Sequence, residues 1–472
     1  LYISMGHPRI NVSYMQSAKQ YISEHLDTFQ SEIFEFLRIP SISANPEHSH
    51  EMGEAATWLK GMMESSGLEA KIYQTPGNPI VLGESSKAGR DAPTVLVYGH
   101  YDVQPPEPLD LWTSPPFEPE IRDGRLYARG SSDDKGQLYL HLKAAEAFLK
   151  GTGNLPINLI VLAEGEEEVG SPNLLPFVEK YRERLACDIA VISDTGMIAP
   201  GLPSILCSLR GLAYFDVEVR GPSSDLHSGV YGGPVVNPAL ALAQILASLQ
   251  DSTGKITIGN FYDNILDSSS QTKKQMKELP FNQKELEGFI GADLCGGETE
   301  FSVLERLWTR PTCEVNGLNS GYTGTGAKTV LPSRAQAKVS FRLVPDQTPQ
   351  RIEELFRKHI EGVTPKGVQV TIKLLHGGMP WRAQLGDALK YAVDSALVKV
   401  FNKPAVIAGE GGSIPIVRDL ETVLNSPVLL LGFSYPGCNL HAPDEWFPVE
   451  NIENGIRTIA HLYHEISLVN KN

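Results

Sequence analysis

Three apolar runs in the first 200 residues each end in side chains that ligate metals. TVLVY (94–98) leads into Gly99-His100-Tyr101-Asp102 and INLIVLA (157–163) into Glu164-Gly165-Glu166-Glu167-Glu168. DIAVI (188–192) leads into Ser193-Asp194. Between the first two stands GSSDDKG (130–136), which places Asp133 in a small-residue loop. One imidazole and several carboxylates form a mixed nitrogen and oxygen donor set. Such a set suits Zn²⁺, Mn²⁺ or Co²⁺ better than a thiolate site would.

Each residue has a chemical reading and a plain one. His100 and Asp102 are two apart, so in extended chain they point the same way. Asp102 can then hold the tautomer of a metal-binding imidazole; the plain reading is a solvated loop histidine beside a turn aspartate. Asp133 has two oxygens and can bridge two cations about 3.5–4 Å apart, or it caps the helix that follows. The acidic triplet 166–168 is the sharpest signal, because adjacent carboxylates behind an apolar strand repel unless cations or protons relieve them. One of these acids can ligate while its neighbour acts as general base on an activated water; spacing does not say which. Asp194 is a strand-end donor or a turn cap. His441, one of twelve histidines, follows the last strand and can return to the same edge.

The stretch 321–329 (GYTGTGAKT) looks like a phosphate loop but fails as one. A phosphate loop has Gly directly before Lys-Ser/Thr, and here Ala327 intervenes. Nucleotide hydrolysis is rejected, although backbone amides there could hold an anion.

Short β-branched runs of this kind read as buried strands of a parallel sheet, and ligands sit at the carboxyl ends of such strands. Helical spacing over 14–38, 52–66, 136–150 and 173–184 supplies covering helices, with a short strand at 80–82. The loop 104–119 holds six prolines and is expected to be extended. After residue 209 the texture changes. Alternating strands at 213–220, 335–344 and 369–375 and helices at 235–249 and 348–360 predict an α+β layer, interrupted by a polar helical stretch at 268–289. From 386 the α/β texture resumes, with helices at 387–400 and 451–467 and strands at 406–407 and 428–431. The expected fold class is α/β. A mixed, mainly parallel catalytic domain (1–209 plus 381–472) carries an inserted α+β domain (210–380).

With 472 residues the chain exceeds one ordinary core. Its formal net charge of −15 argues against nucleic acid or an anionic membrane as partner. No apolar stretch reaches the roughly 18 residues of a membrane span, and the first residues lack the basic-then-apolar pattern of a signal peptide. Five cysteines without CxxC spacing are expected to be buried reduced thiols of a cytoplasmic protein.

Taken together, GHYDVQP, GSSDDKG, EGEEEVGS, ISD, DLHSGVYGG, GAKTVLP, FRLVP, HGGMPW, EGGSIP and the late His441 resemble the carnosinase-like dipeptidases. These are a branch of the two-metal aminoacylases, glutamate carboxypeptidases and succinyl-diaminopimelate desuccinylases. The resemblance implies two divalent metals (Zn or Mn, with Co possible). His100 and Asp194 would bind one, Glu168 and His441 the other, and Asp133 would bridge. It makes Asp102 the residue that orients His100, Glu167 the general base, and leaves Glu166 without a role. His227 would stabilise the oxyanion across a homodimer formed by the inserted lid domain. Thr329, Arg342, His376 and Ser413 would hold the substrate's carboxylate and backbone; the planar fork of Arg342 suits a carboxylate. The implied activity is hydrolysis of dipeptides or very short peptides by a hydroxide held between the metals. An N-acyl-amino-acid amidohydrolase on the same scaffold is the alternative, and a non-catalytic peptide-binding dimer a more distant one.

Overall fold

The apolar runs form the centre of a mixed sheet in a computed structural model, which describes residues 8–265, 267–412 and 414–469. The chain divides into two compact units. Leu1–Cys207, Ala383–Ala408 and Asp419–Asn472 make the first; Ser208–Arg382 and Gly409–Arg418 make the second.

In the first unit the strand order is Glu69–Tyr73, Ile80–Ser85, Asn158–Glu164, Thr94–His100, Ile189–Ile192, Val428–Leu430 and Ser204–Leu209. The central pairings are parallel, and those at both flanks are antiparallel. Val95, Val97, Leu159, Val161, Ile189 and Val191 are all buried in one core. Each such side chain contributes on the order of 1.5–3 kcal/mol by leaving water. Parallel neighbours end together, so His100 faces Glu164 in register. The donors at these strand ends are thereby brought to one edge.

The helices Pro8–Leu37, Ser49–Ser65, Lys135–Thr152, Asp387–Phe401 and Glu450–Ser467 supply the rest of that core. Lys135–Thr152 is buried continuously from Lys135 to Phe148, which anchors the loop carrying Asp133. The helix expected over 173–184 is shorter, spanning Leu174–Lys180. Elements not foreseen in this unit include the strands Ser204–Leu209 and Glu69–Tyr73 and a small separate sheet. Glu69–Tyr73 is half exposed at the sheet edge. A small sheet of Glu120–Arg122, Arg125–Tyr127 and Trp446–Pro448 consists of strands too short to show alternation. It joins the segment before Asp133 to the segment after His441.

The second unit is built on an antiparallel sheet in the order Thr312–Ser320, Arg334–Leu343, Gly211–Arg220 and Gln369–Gly378. Ala213, Phe215, Val217 and Val219 alternate into its core with Ala335, Ala337, Val339 and Phe341. The helices Pro238–Ala247 and Pro349–Val363 cover them with Leu242, Ile245, Ile352 and Phe356. The polar stretch 268–289 is two helices, Ser270–Glu278 and Gln283–Ile290. Pro280, which cannot donate to a helical ladder, lies between them. The cysteines are free; Cys313 and Cys438 are buried as expected, but Cys295 is exposed. Among the described residues, no helix is long and apolar enough to cross a membrane.

Candidate metal centre

Among the described residues, two groups of donors converge in the first unit, and they share one residue. His100, Asp133 and Asp194 form one set; Asp133, Glu168 and His441 form the other. In each set the donor atoms lie within 4.8 Å of one another. Asp133 divides its oxygens between them. Oδ1 is 3.0 Å from His100 Nε2, and Oδ2 is 2.8 Å from His441 Nε2. Asp194 Oδ2 stands 3.8 Å from His100 Nε2, and Glu168 Oε2 stands 3.5 Å from His441 Nε2.

Asp102 acts on this geometry in two ways. Its backbone carbonyl lies 3.0 Å from His100 Nδ1, while its carboxylate Oδ1 is more distant from that nitrogen at 3.4 Å. The carboxylate instead accepts the backbone amides of Glu167 (3.2 Å) and Glu168 (3.1 Å). One residue thus orients the imidazole and ties down the helical turn Glu167–Val169 that carries both acids. From the sequence only the first of these tasks was expected.

Glu167 belongs to neither donor set, although its electrostatic neighbours are His100, Asp133, Asp102 and His441. Burial first, and then the charge of Asp133, holds its carboxyl above the usual range despite the opposing pull of His100. Burial and Asp133 also push Glu168 and Asp194 up to about 8 each. Asp133 goes the other way: burial raises it, but the close nitrogens and charges of His100 and His441 outweigh burial and hold it low. Burial disfavours charge on the His100 ring, yet Asp102, Asp133 and Asp194 prevail and raise it well above its ordinary value. His441 is raised to about 9, chiefly by Asp133.

The donor set therefore calls for positive charge from every side. His100 Nε2 is buried and, despite its nearness to Asp133, makes no aligned hydrogen bond. Crowded carboxylates around an unbonded imidazole nitrogen fit divalent cations on physical grounds. The sets contain no thiolate.

Several supporting residues were not singled out from the sequence. Gln104 Nε2 donates to Glu168 Oε2 at 2.7 Å. Asp134 Oδ2 accepts the His100 amide at 3.2 Å, and a β-carbon at Gly99 would stand 2.6 Å from that oxygen. Glu166 is the third acid of the triplet, and it proves to be a clamp. Oε1 accepts the Asn78 amide (3.0 Å) and Oε2 the Asn173 amide nitrogen (2.8 Å). Gly77 is required beside it, since a β-carbon there would lie 1.7 Å from Glu166 Oε1.

The remaining residues named from the sequence belong to the second unit. His227 is exposed and pairs in a two-residue strand with Val330, and Ser228 N donates to Thr329 O at 3.1 Å. His227 and Thr329 are therefore neighbours. Arg342 and His376 lie on strands either side of Gly211–Arg220, opposite Leu212 and Tyr214 respectively. The His376 ring stacks on Tyr214 with centroids 4.9 Å apart. Ser413 lies outside the described residues. Residues 321–329 are exposed and are followed by the short strand Val330–Leu331 rather than by a helix, unlike a phosphate loop.

Comparison with known proteins gives concordant matches. The profile described as Peptidase family M20/M25/M40 matches residues 96–465. A Cys-Gly metallodipeptidase of Schizosaccharomyces pombe is 31% identical, covering 95% of this chain and 98% of its own. The structure of human carnosine dipeptidase 1 aligns with a TM-score of 0.81 at 29% identity, over 96% of this chain and 99% of that one. An M20 family metallo-carboxypeptidase, Sso-CP2 from Sulfolobus solfataricus, aligns with a TM-score of 0.82 at 32% identity, over 93% and 99%.

Proposed function

This chain belongs to peptidase family M20/M25/M40, and on that premise we propose that it is a metallodipeptidase, hydrolysing dipeptides or very short peptides with two divalent cations. The observation that carries the reading is the division of Asp133 between two donor sets, with Glu167 beside both and a member of neither.

In this reading His100, Asp194 and Asp133 hold one cation, and Asp133, Glu168 and His441 the other. Zn²⁺ or Mn²⁺ suits such donors, and Co²⁺ is compatible. Bound cations activate water as a nucleophile and polarise the scissile carbonyl. Everything else falls to side chains. With Nδ1 against the Asp102 carbonyl, His100 presents Nε2 to the site. Glu167 takes a proton from the attacking water and returns it to the leaving amine. A carboxyl raised above its usual range is the better matched to both steps. Gln104 fixes the orientation of Glu168.

The same proposal gives substrate recognition to four further residues. Arg342, His376, Thr329 and Ser413 hold the carboxylate and backbone of a short peptide, which restricts cleavage to such substrates. His227, exposed on its strand, donates to the oxyanion in a second copy of the chain within a homodimer. A cytoplasmic location completes the reading.

The deciding experiment is Glu167→Gln with metal content measured in parallel. Retained metals with turnover reduced by about 10²–10⁴-fold are expected; normal turnover of dipeptides would remove Glu167 from the mechanism. A second reading has a specific observation behind it, the 32% identity to the Sulfolobus carboxypeptidase. A panel of dipeptides, longer peptides and N-acyl amino acids separates dipeptidase from carboxypeptidase, and from the amidohydrolase alternative.

A further inference from the structure

We propose that Glu445 is a positioning residue of the metal centre, its carboxylate fastening the 130–133 loop so that Asp133 faces both donor sets at once. The inference rests on the two-cation reading above. It starts from a problem of the backbone. Residues 129–134 are all buried, and the loop has no regular structure to satisfy its amides. Buried amides without partners are costly.

Backbone carbonyls take the amides of Arg129 and Ser131, and Glu445 takes three of the others. Oε1 accepts the amides of Ser132 (2.9 Å) and Asp133 (3.2 Å). Oε2 accepts the amide of Gly130 (3.0 Å) and Arg129 Nη1 (2.8 Å). Four donors fill the capacity of an ionised carboxylate. An ordinary buried ion pair would need only the arginine. Here three of the four donors are backbone amides of the loop that presents Asp133.

The same residue reaches the other ligand loop through the chain itself. His441 lies four residues upstream of Glu445. Glu445 O accepts the amide of Ala128 at 3.1 Å, and Ser132 Oγ donates to Trp446 O at 2.8 Å. The loops of Asp133 and His441 are therefore stitched together at one point, and Asp133 Oδ2 meets His441 Nε2 just beside it. A glutamine would match the shape of Glu445 but not its function. It offers one acceptor oxygen, and its NH₂ would confront two of the four donors.

The test is the affinity of the metal-stripped full chain for Mn²⁺ and for Zn²⁺, measured by competition with a chelator. Glu445→Gln is expected to weaken binding roughly 10–100-fold, the usual effect of losing an outer-shell partner. Glu445→Asp should recover part of the loss. Melting of the metal-free variants is followed separately, because a purely structural role lowers the melting temperature without moving the affinity of the folded protein. Affinity of folded Glu445→Gln within twofold of wild type overturns the proposal. If that variant does not fold, Glu445→Asp decides, since its shorter carboxylate keeps the charge but cannot reach all four donors. Several-fold weaker metal binding is expected, and unchanged affinity overturns the proposal. Failure of the wild-type chain to bind either cation would instead overturn the two-cation reading.

Discussion

Asp133 and His441 are 308 residues apart in sequence, and Asp133 Oδ2 lies 2.8 Å from His441 Nε2. The other oxygen of Asp133 serves His100 at 3.0 Å. Asp133→Asn should therefore disturb both donor sets. Metal content by elemental analysis should fall for both equivalents. Cation assistance is worth several kcal/mol, so peptidase activity should fall by roughly 10³-fold or more. A variant that keeps two equivalents per chain would refute the bridging role.

The two adjacent acids should separate cleanly. Glu167→Gln is expected to retain its metals, whereas Glu168→Gln should lose affinity for one of them, because Glu168 stands in a donor set and Glu167 does not. Identical metal titrations for the two variants would contradict this division.

Glu166 offers a control within the same triplet. Glu166→Ala leaves the Asn78 amide and the Asn173 side chain without their acceptor. About 1–3 kcal/mol of stability should be lost, read as a lower unfolding midpoint in urea. Metal stoichiometry should stay at the wild-type value; a lost equivalent would make Glu166 more than a clamp.

Stability should decline toward acid through buried histidines. His141 lies between Ser193 Oγ (2.7 Å) and Tyr463 OH (3.1 Å), and burial lowers it from 6.5 to about 3. A histidine lowered on folding is neutral in the native state and takes up its proton on unfolding. Its contribution is therefore complete above pH 6.5 and shrinks as pH falls toward 3, by about 1.4 kcal/mol per unit for one proton. His461, also lowered to about 3, adds in the same direction. Unfolding midpoints measured from pH 7 to 4 should fall less steeply in His141→Phe than in wild type. Parallel curves would remove His141 from the account.

Chelation should abolish hydrolysis, and Mn²⁺, Zn²⁺ or Co²⁺ should restore it. Because a ligand that binds only the folded state stabilises it, the stripped chain should also melt at a lower temperature. Turnover that persists after complete stripping would exclude metal-dependent chemistry.

The strand-end donors were legible because each closes an apolar run, and parallel strands of one sheet end at one edge. His100, Asp194 and the acidic triplet 166–168 could be nominated on that ground, and Asp133 from the small-residue loop between the runs, whereas the choice of Glu168 as ligand came only through resemblance. His441 could not, except through resemblance. It sits in a loop with φ of +58° and carries no periodic signal. The strand Thr312–Ser320 was missed because, as an edge strand, it is largely exposed and barely alternates. Gln104 and Glu445 were missed because their partners are 64 and more than 300 residues away in sequence.

By itself, then, the sequence determined which chemistry was available. Its apolar runs dictate a sheet, and the residues after them dictate nitrogen and oxygen donors at its edge. Tertiary structure decided how those donors are shared out. Which oxygen of Asp133 meets which histidine, and that Asp102 offers His100 its carbonyl while its carboxylate holds Glu167 and Glu168, depend on hydrogen bonds of about 3 Å. Bonds of that length exist only once distant loops are packed together, and no local pattern of residues encodes them. Glu166 is the plainest case. In the sequence it was a third acid like its neighbours, and in the fold its two oxygens are already taken by Asn78 and Asn173.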